Sequence, residues 1–281
     1  MTPSFAKRSD PTGRKLLSGA LHAVLRKAKR LRALRLIVAS GALCFSSASR
    51  AELPDGFVYL SDIDPSIIQD IRYYGGHNFV GRRIDGYDAH ECVLTKEAAL
   101  ALSRVQTLLR KENASLIVWD CYRPARAVAD FMRWSKNPAE RGMKAEFFPN
   151  TARSSLFARG YISARSAHSR GSTVDLGLAP KAASAAAFDP AAPLVACTAP
   201  EKERFQDGAL DMGTGFDCFD SRATIANTAL TGEAQKNRMR LRRAMIDGGF
   251  KPYDKEWWHF ELENEPFPGK SFDFPVEAKG H

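Results

Sequence analysis

The sequence has no cysteines at CxxC spacing, no internal repeat and only six histidines in 281 residues. The missing CxxC spacing argues against a zinc site built from cysteines, because such sites usually take their ligands from closely spaced pairs. The apolar run at residues 36–45 is also too short for a permanent membrane anchor, which needs roughly 20 residues. We therefore predict no permanent membrane anchor, and we look to the histidines for any metal site.

The basic residues are concentrated at the start of the chain. Residues 1–51 hold eleven of the 41 Lys and Arg but only one of the 32 Asp and Glu. The remaining 30 basic and 31 acidic residues nearly cancel, so the formal net charge of +9 comes from this first segment. Because no basic stripe remains that could follow a phosphate backbone, we predict that the protein does not bind nucleic acid.

The same first segment has the organisation of an export signal. A basic run at 26–35 precedes the apolar run at 36–45, and small residues follow it. Ser49 and Ala51 fit the small positions that precede a signal-peptidase cut, so we predict that residues 1–51 are a signal peptide. An uncleaved amphipathic anchor is the alternative. We expect the mature protein to be exported, to the periplasm.

Four cysteines follow the predicted cleavage site, at positions 92, 121, 197 and 218. An even number of cysteines in an exported protein is compatible with two disulfides. Four cysteines allow three pairings, and proximity along the chain favours Cys92–Cys121 together with Cys197–Cys218.

Residues 52–281 are expected to form one domain, since about 230 residues can bury a sizeable core. Hydrophobic periodicity and capping residues predict helices at 95–112, 123–135 and 233–247 and strands at 115–121, 172–178 and 258–262. An Ala/Pro-rich stretch at 179–193 indicates an exposed, mobile loop. Strands and helices mix without regular βαβ alternation, so we predict an α+β fold with a central antiparallel sheet flanked by helices.

Two short motifs contain the residue types of a metal site. "SAHSRGSTVDLGL" places His168 seven residues before Asp175, and "EWWHFE" places Glu256 three residues before His259. Two histidines and one carboxylate would satisfy a catalytic zinc ion, which commonly takes three protein ligands. In one ideal strand Glu256 would face away from His259, so we expect it in a bend just before the strand. The spacing alone leaves two alternatives to metal binding open: His168 could be a histidine in a surface turn, and His259 could be a hydrogen-bonded histidine of the core.

The two motifs together resemble those of the zinc D-alanyl-D-alanine dipeptidases, the VanX-type branch of the D-Ala-D-Ala metallopeptidases. Four further stretches resemble the family in the same order, so the likeness covers nearly the whole mature chain: "NFVGRRIDGY", "WDCYRPARAV", "MGTGFDCFD" and "FDFPV". The resemblance implies a small α+β domain with an antiparallel sheet, as in hedgehog signalling domains and lysostaphin-type peptidases.

The resemblance also implies roles for the residues of the two motifs. His168, Asp175 and His259 would bind one Zn²⁺ per chain. Glu256 would be the general base that takes a proton from metal-activated water. Residues 52–281 would then be a zinc D,D-dipeptidase catalytic domain.

Three further residues match family positions that contact the substrate. Arg123 would stabilise the oxyanion, because a guanidinium is permanently charged and donates in a fixed fork. Ser166 would bind the substrate carboxylate, and Asp217 would pair with its free amino group. Without the resemblance, Arg123 would be interpreted as a helix-capping arginine and Asp217 as a loop aspartate.

The function implied is zinc-dependent hydrolysis of D-alanyl-D-alanine and related D,D-dipeptides from the bacterial cell wall. The alternatives are a murein D,D-carboxypeptidase or endopeptidase, and a non-catalytic, zinc-stabilised binding module. The stretch between Asp175 and Asp217 is longer than in the compact members of the family, and neither export nor the cysteines are universal in it. That longer stretch could reshape the substrate pocket.

Overall fold

The computed structural model describes residues 52–225, 227 and 229–279. The predicted signal peptide and its cleavage site lie outside these residues, so export stays a prediction. In the part of the chain that is described, no helix is long and apolar enough to cross a membrane.

A five-stranded sheet forms the centre of the fold. The strands in chain order are β1 Phe57–Tyr59, β2 Ile68–Gln69, β3 Val93–Thr95, β4 Ala114–Asp120, β5 Thr173–Pro180, β6 Phe250–Tyr253 and β7 Glu256–Leu262. The strand order in the sheet is β2-β4-β5-β7-β6. Strands β4, β5, β7 and β6 pair antiparallel, which confirms the predicted fold class, whereas the edge strand β2 pairs parallel to β4. Strands β1 and β3 form a separate antiparallel pair.

The three predicted helices are confirmed within about two residues at each end, whereas two further helices of four residues each were not predicted. Thr95 caps the longest predicted helix as expected, because its Oγ1 accepts a hydrogen bond from the Ala98 amide at 3.4 Å. Pro124 precedes the next helix as its N-cap. The α-helices of the described residues are α1 Leu60–Ile63, α2 Lys96–Lys111, α3 Ala125–Lys136, α4 Lys144–Phe147 and α5 Gly232–Asp247.

Strands β4 and β5 are the inner strands of the sheet. All seven residues of β4 and the first seven of the eight in β5 are buried, which explains why most of their residues are apolar. The predicted loop at 179–193 was wrong at its start, because Ala179 and Pro180 belong to β5 and pair with Ser115 and Ala114 of β4. Most of the remaining loop is exposed.

Both predicted disulfides are formed in the structure. Cys92 bonds Cys121 with their Cα atoms 5.4 Å apart, and Cys197 bonds Cys218 with a Cα separation of 5.5 Å. The two bridges therefore follow the pairing that proximity along the chain favoured.

Candidate metal centre and substrate cavity

A tight turn brings His168 back against the sheet. His168 lies in a short 3₁₀ helix, Ala167–Arg170, which ends at Gly171 with a φ of +84°. A Cβ atom at Gly171 would lie 2.2 Å from the ring of Phe57, so both backbone conformation and space require glycine here. The chain then enters β5, whose third residue is Asp175.

The strand register places Asp175 beside the second histidine. Asp175 pairs with His259 across β5 and β7. Asp175 Oδ1 lies 3.1 Å from His259 Nδ1 and 3.3 Å from His168 Nε2, and the two imidazole nitrogens are 3.3 Å apart. Asp175 Oδ1 is buried without a hydrogen-bond partner. Three ligand atoms thus converge on one point, and this group could hold a metal ion.

The polar contacts on the far side of both rings suit metal binding. The Nδ1 atom of His168 lies 2.8 Å from the carbonyl oxygen of Cys121. Because a carbonyl can only accept, Nδ1 carries the proton and Nε2 turns its lone pair to the cluster. On the second ring, Nε2 of His259 faces Glu261 Oε1 at 3.8 Å, and Nδ1 faces the cluster.

Glu256 is the first residue of β7, so the expectation that it precedes the strand was wrong. Pro252 pairs with Phe260 but Tyr253 pairs with Glu256, so β7 has extra residues between these pairs. This irregularity turns Glu256 to the same side of the sheet as His259, and its Oε2 lies 3.6 Å from His259 Nδ1. Burial raises the pKa of Glu256 to about 8.

Arg123 is held in place by a buried carboxylate. Its Nε donates to Asp120 Oδ2 at 2.9 Å, and its guanidinium carbon lies 5.1 Å from the centre of the Tyr73 ring. The same guanidinium reaches into the site, with Nη2 3.5 Å from Asp175 Oδ2 and Nη1 donating to Ser166 Oγ at 3.4 Å. The positive charge is therefore fixed at the edge of the metal-ligand cluster.

Asp217 is buried with its carboxylate facing the same space. Its Oδ2 accepts a hydrogen bond from the Tyr73 hydroxyl at 2.7 Å. Burial, with a further contribution from the negative charge of Asp175, raises the pKa of Asp217 to about 7. A cation entering this space would stabilise the ionised form of Asp217.

All seven residues predicted for the site line one cavity of about 220 Å³. They come from the loop before α3, the 3₁₀ helix and its cap, β5, β7 and the segment that carries Asp217. Aromatic side chains complete the wall; they include Tyr73, Phe131, Tyr161, Phe219 and Tyr253.

Sequence reasoning missed three residues that contact those seven. Asp120 had a detectable signal, because it is the one charged residue of the buried strand β4 and such carboxylates are rarely left unpaired. Glu261 belongs to the quoted "EWWHFE" motif but has no distinguishing spacing. Tyr73 lies more than a hundred residues from Asp217 in the chain, and nothing in the local sequence indicates their contact.

Comparison with known proteins identifies the family of this chain. A family described as D-ala-D-ala dipeptidase matches residues 54–185 and 203–277. A D-alanyl-D-alanine dipeptidase of Enterococcus faecium is 35% identical over 223 residues, covering 79% of this chain and 98% of the relative. One from Streptomyces coelicolor is 36% identical over 221 residues, covering 78% of this chain and 98% of the relative. One from Escherichia coli is 29% identical over 206 residues, covering 73% and 83%. This chain belongs to the D-Ala-D-Ala dipeptidase family.

Proposed function

We propose that this protein is a zinc-dependent dipeptidase that hydrolyses D-alanyl-D-alanine and related D,D-dipeptides. The observation that carries the proposal is the single cavity in which three ligand atoms, a buried glutamate and a fixed arginine meet. The names of the relatives support the choice of substrate.

The residues present fit a catalytic zinc ion. His168 Nε2, Asp175 Oδ1 and His259 Nδ1 would hold it, and two nitrogens with one carboxylate oxygen make up a ligand set that leaves a position open. The buried, unpartnered Oδ1 of Asp175 supports this assignment, because a buried carboxylate oxygen without a hydrogen bond is costly unless a cation compensates it. When bound, zinc would act as a Lewis acid and lower the pKa of water.

Glu256 would move the proton in this reaction. Burial raises the pKa of Glu256 to about 8 without a metal ion, and the charge of a bound cation beside it would lower that pKa again. The ionised carboxylate could then take a proton from water near neutral pH and release it to the leaving amine. Glu256 Oε2 is 3.6 Å from His259 Nδ1, which puts the base beside the cluster. We assign Glu256 the role of base rather than ligand, since His168, Asp175 and His259 already supply three ligand atoms.

Arg123 would stabilise the negative charge that develops on the substrate carbonyl oxygen. The buried Asp120 holds the guanidinium from behind, so the donors need no reorganisation when that charge appears. Ser166 Oγ, next to the guanidinium, would bind the substrate carboxylate.

Asp217 would determine the specificity for a dipeptide over a longer peptide. A free dipeptide carries an ammonium group one residue from the scissile bond, and a buried carboxylate would bind it through a charge-assisted hydrogen bond. A murein peptide has an uncharged amide at that position and would leave the carboxylate incompletely paired. This contrast favours a dipeptidase over a D,D-carboxypeptidase. Glu256 and Arg123 argue against a non-catalytic zinc module, because a structural zinc site needs neither.

We also propose that the mature enzyme acts after export, with residues 1–51 as the signal peptide and 52–281 as the catalytic domain. The two disulfides support this location, since such bonds persist in oxidising compartments such as the periplasm. Cell-wall dipeptides released outside the cytoplasm would then be the substrates.

One experiment separates the candidate functions. The purified mature protein is incubated with D-alanyl-D-alanine and with a muropeptide, before and after removal of metal by a chelator and again after addition of zinc. We expect zinc-dependent release of D-alanine from the free dipeptide. Release of D-alanine only from the muropeptide would show that the protein is a carboxypeptidase and not a dipeptidase. Zinc binding without hydrolysis of either substrate would indicate a binding module.

A further inference from the structure

The backbone of Asp217 has an unusual conformation. Its φ is +54°, and Asn113 is the only other non-glycine residue with a positive φ among the described residues. The left-handed region is strained for a non-glycine residue, so the surroundings must hold Asp217 there.

The chain is anchored on both sides of Asp217. Before it, the amide of Gly215 donates to the carbonyl of Cys197 at 2.9 Å. After it, Cys218 bonds covalently to Cys197, and the amide of Phe219 donates to the carbonyl of Phe147 at 2.8 Å. Two of these three anchors are formed by Cys197.

Cys197 is itself firmly held. It is 3% exposed, and its amide donates to the carbonyl of Glu146 at 2.9 Å. It lies in residues 186–202, the stretch that the family match leaves out. Part of the support for Asp217 therefore comes from a segment outside the shared family sequence.

We propose that the Cys197–Cys218 disulfide is a positioning device for Asp217 and thereby sets the preference of this enzyme for substrates with a free ammonium group. This inference rests on the proposed function, in which Asp217 pairs with the dipeptide ammonium. Without the bridge, Asp217 can relax out of the left-handed conformation, and its carboxylate then leaves the Tyr73 hydroxyl and the cavity. The substrate contact most affected is the one to the ammonium, because the metal ligands lie on other elements.

A double-mutant cycle tests this assignment. The four proteins are the wild type, Cys197→Ala/Cys218→Ala, Asp217→Asn and their combination, each assayed for kcat/KM with D-alanyl-D-alanine and with its N-acetyl derivative. Removing the bridge should lower kcat/KM about 10-fold for the free dipeptide, the scale of one hydrogen bond to a charged group, and less than about 2-fold for the acetylated one. In the Asp217→Asn background, removing the bridge should leave kcat/KM for the free dipeptide almost unchanged.

The second disulfide supplies the matched control. Cys92→Ala/Cys121→Ala removes a bridge of similar loop length, 29 rather than 21 residues. The Cys121 carbonyl contacts His168, a proposed metal ligand on which the hydrolysis of either substrate would depend. Any effect of this variant on kcat/KM should therefore be equal for the two substrates. A bridge that acted through stability alone would behave in the same way.

Amide hydrogen exchange gives a readout that does not depend on activity. In Cys197→Ala/Cys218→Ala the amides of residues 215–219 should lose protection while those of β5 keep it. Unchanged protection at 215–219, an equal loss of activity on both substrates, or a full additional loss in the Asp217→Asn background would each overturn the proposal. Failure of the wild type to cleave D-alanyl-D-alanine would instead refute the proposed function and leave the exchange result to decide the positioning role.

Discussion

Asp175 lies directly opposite His259 across β5 and β7, and its Oδ1 is 3.1 Å from the imidazole Nδ1. On the other side of β5, Asp175 pairs with Asp120 of β4. The register of three neighbouring strands therefore lines up Asp120, which holds Arg123, with the two predicted metal ligands Asp175 and His259. The candidate site is a row across the sheet, so a change in register would dismantle it.

Replacing the proposed base should stop the reaction without removing the metal. Glu256→Ala is expected to lower kcat by about 10²–10⁴-fold, the range for loss of general acid–base catalysis, while zinc content stays near one per chain. Elemental analysis and steady-state kinetics check this outcome together. Loss of zinc in this variant would show that Glu256 is a ligand.

Replacing a proposed ligand should have the opposite signature. His168→Ala is expected to lose both metal and activity, because two ligands cannot hold zinc as three do. The matched control is His90→Ala, since His90 is exposed and does not line the cavity. His90→Ala should keep full zinc content, and a metal-replete, active His168→Ala would remove His168 from the ligand set.

Asp120 should act through Arg123 rather than on the substrate. Asp120→Asn is expected to loosen the guanidinium and lower kcat for the free and the acetylated dipeptide in the same proportion, with zinc retained. Asp130→Asn is a matched control, because Asp130 is a buried partner of Arg82 that does not line the cavity. Asp130→Asn should lower the free energy of unfolding and leave kcat unchanged. A similar loss of kcat in both variants would count against a specific role for Asp120.

The charge of Asp217 should matter only for a substrate that has an ammonium group. Asp217→Asn is expected to cost roughly 1.5–3 kcal/mol in transition-state stabilisation with D-alanyl-D-alanine, the range for a hydrogen bond to a charged group, and much less with the N-acetyl derivative. Values of kcat/KM for both substrates in both proteins measure this difference. If the wild type cleaves the acetylated and the free dipeptide with equal kcat/KM, the dipeptidase assignment is wrong and a D,D-carboxypeptidase becomes the better one.

The buried Asp217 also predicts how the stability of metal-free protein depends on pH. Its pKa rises from 3.8 to about 7 on folding, so the folded state binds a proton that the unfolded state releases. The free energy of unfolding should therefore fall as pH rises from about 4 to about 7. Denaturant unfolding in the presence of a chelator should show a smaller fall for Asp217→Asn than for the wild type. Equal slopes would show that Asp217 is ionised throughout this range.

Local pattern by itself determined much of this protein. The periodicity of 95–112 and the capping Thr95 were enough to predict α2, since a helix that begins at a capped residue and buries one face is specified within its own segment. The disulfide pairing followed from proximity along the chain. The seven site residues were assigned from the family resemblance of their motifs rather than from periodicity, and all seven line the same cavity.

The tertiary structure decided what depends on strand register and distant contacts. The direction of Glu256 follows from an irregularity between β6 and β7, which period-2 alternation does not anticipate. The contact of Tyr73 with Asp217 and the placement of Asp120 beside Asp175 join segments far apart in the chain. The parallel edge strand β2 is two residues long and stabilised by its neighbour β4 rather than by its own pattern. Local sequence specifies the elements and the chemistry they carry, and only packing of the whole sheet specifies which side chains meet.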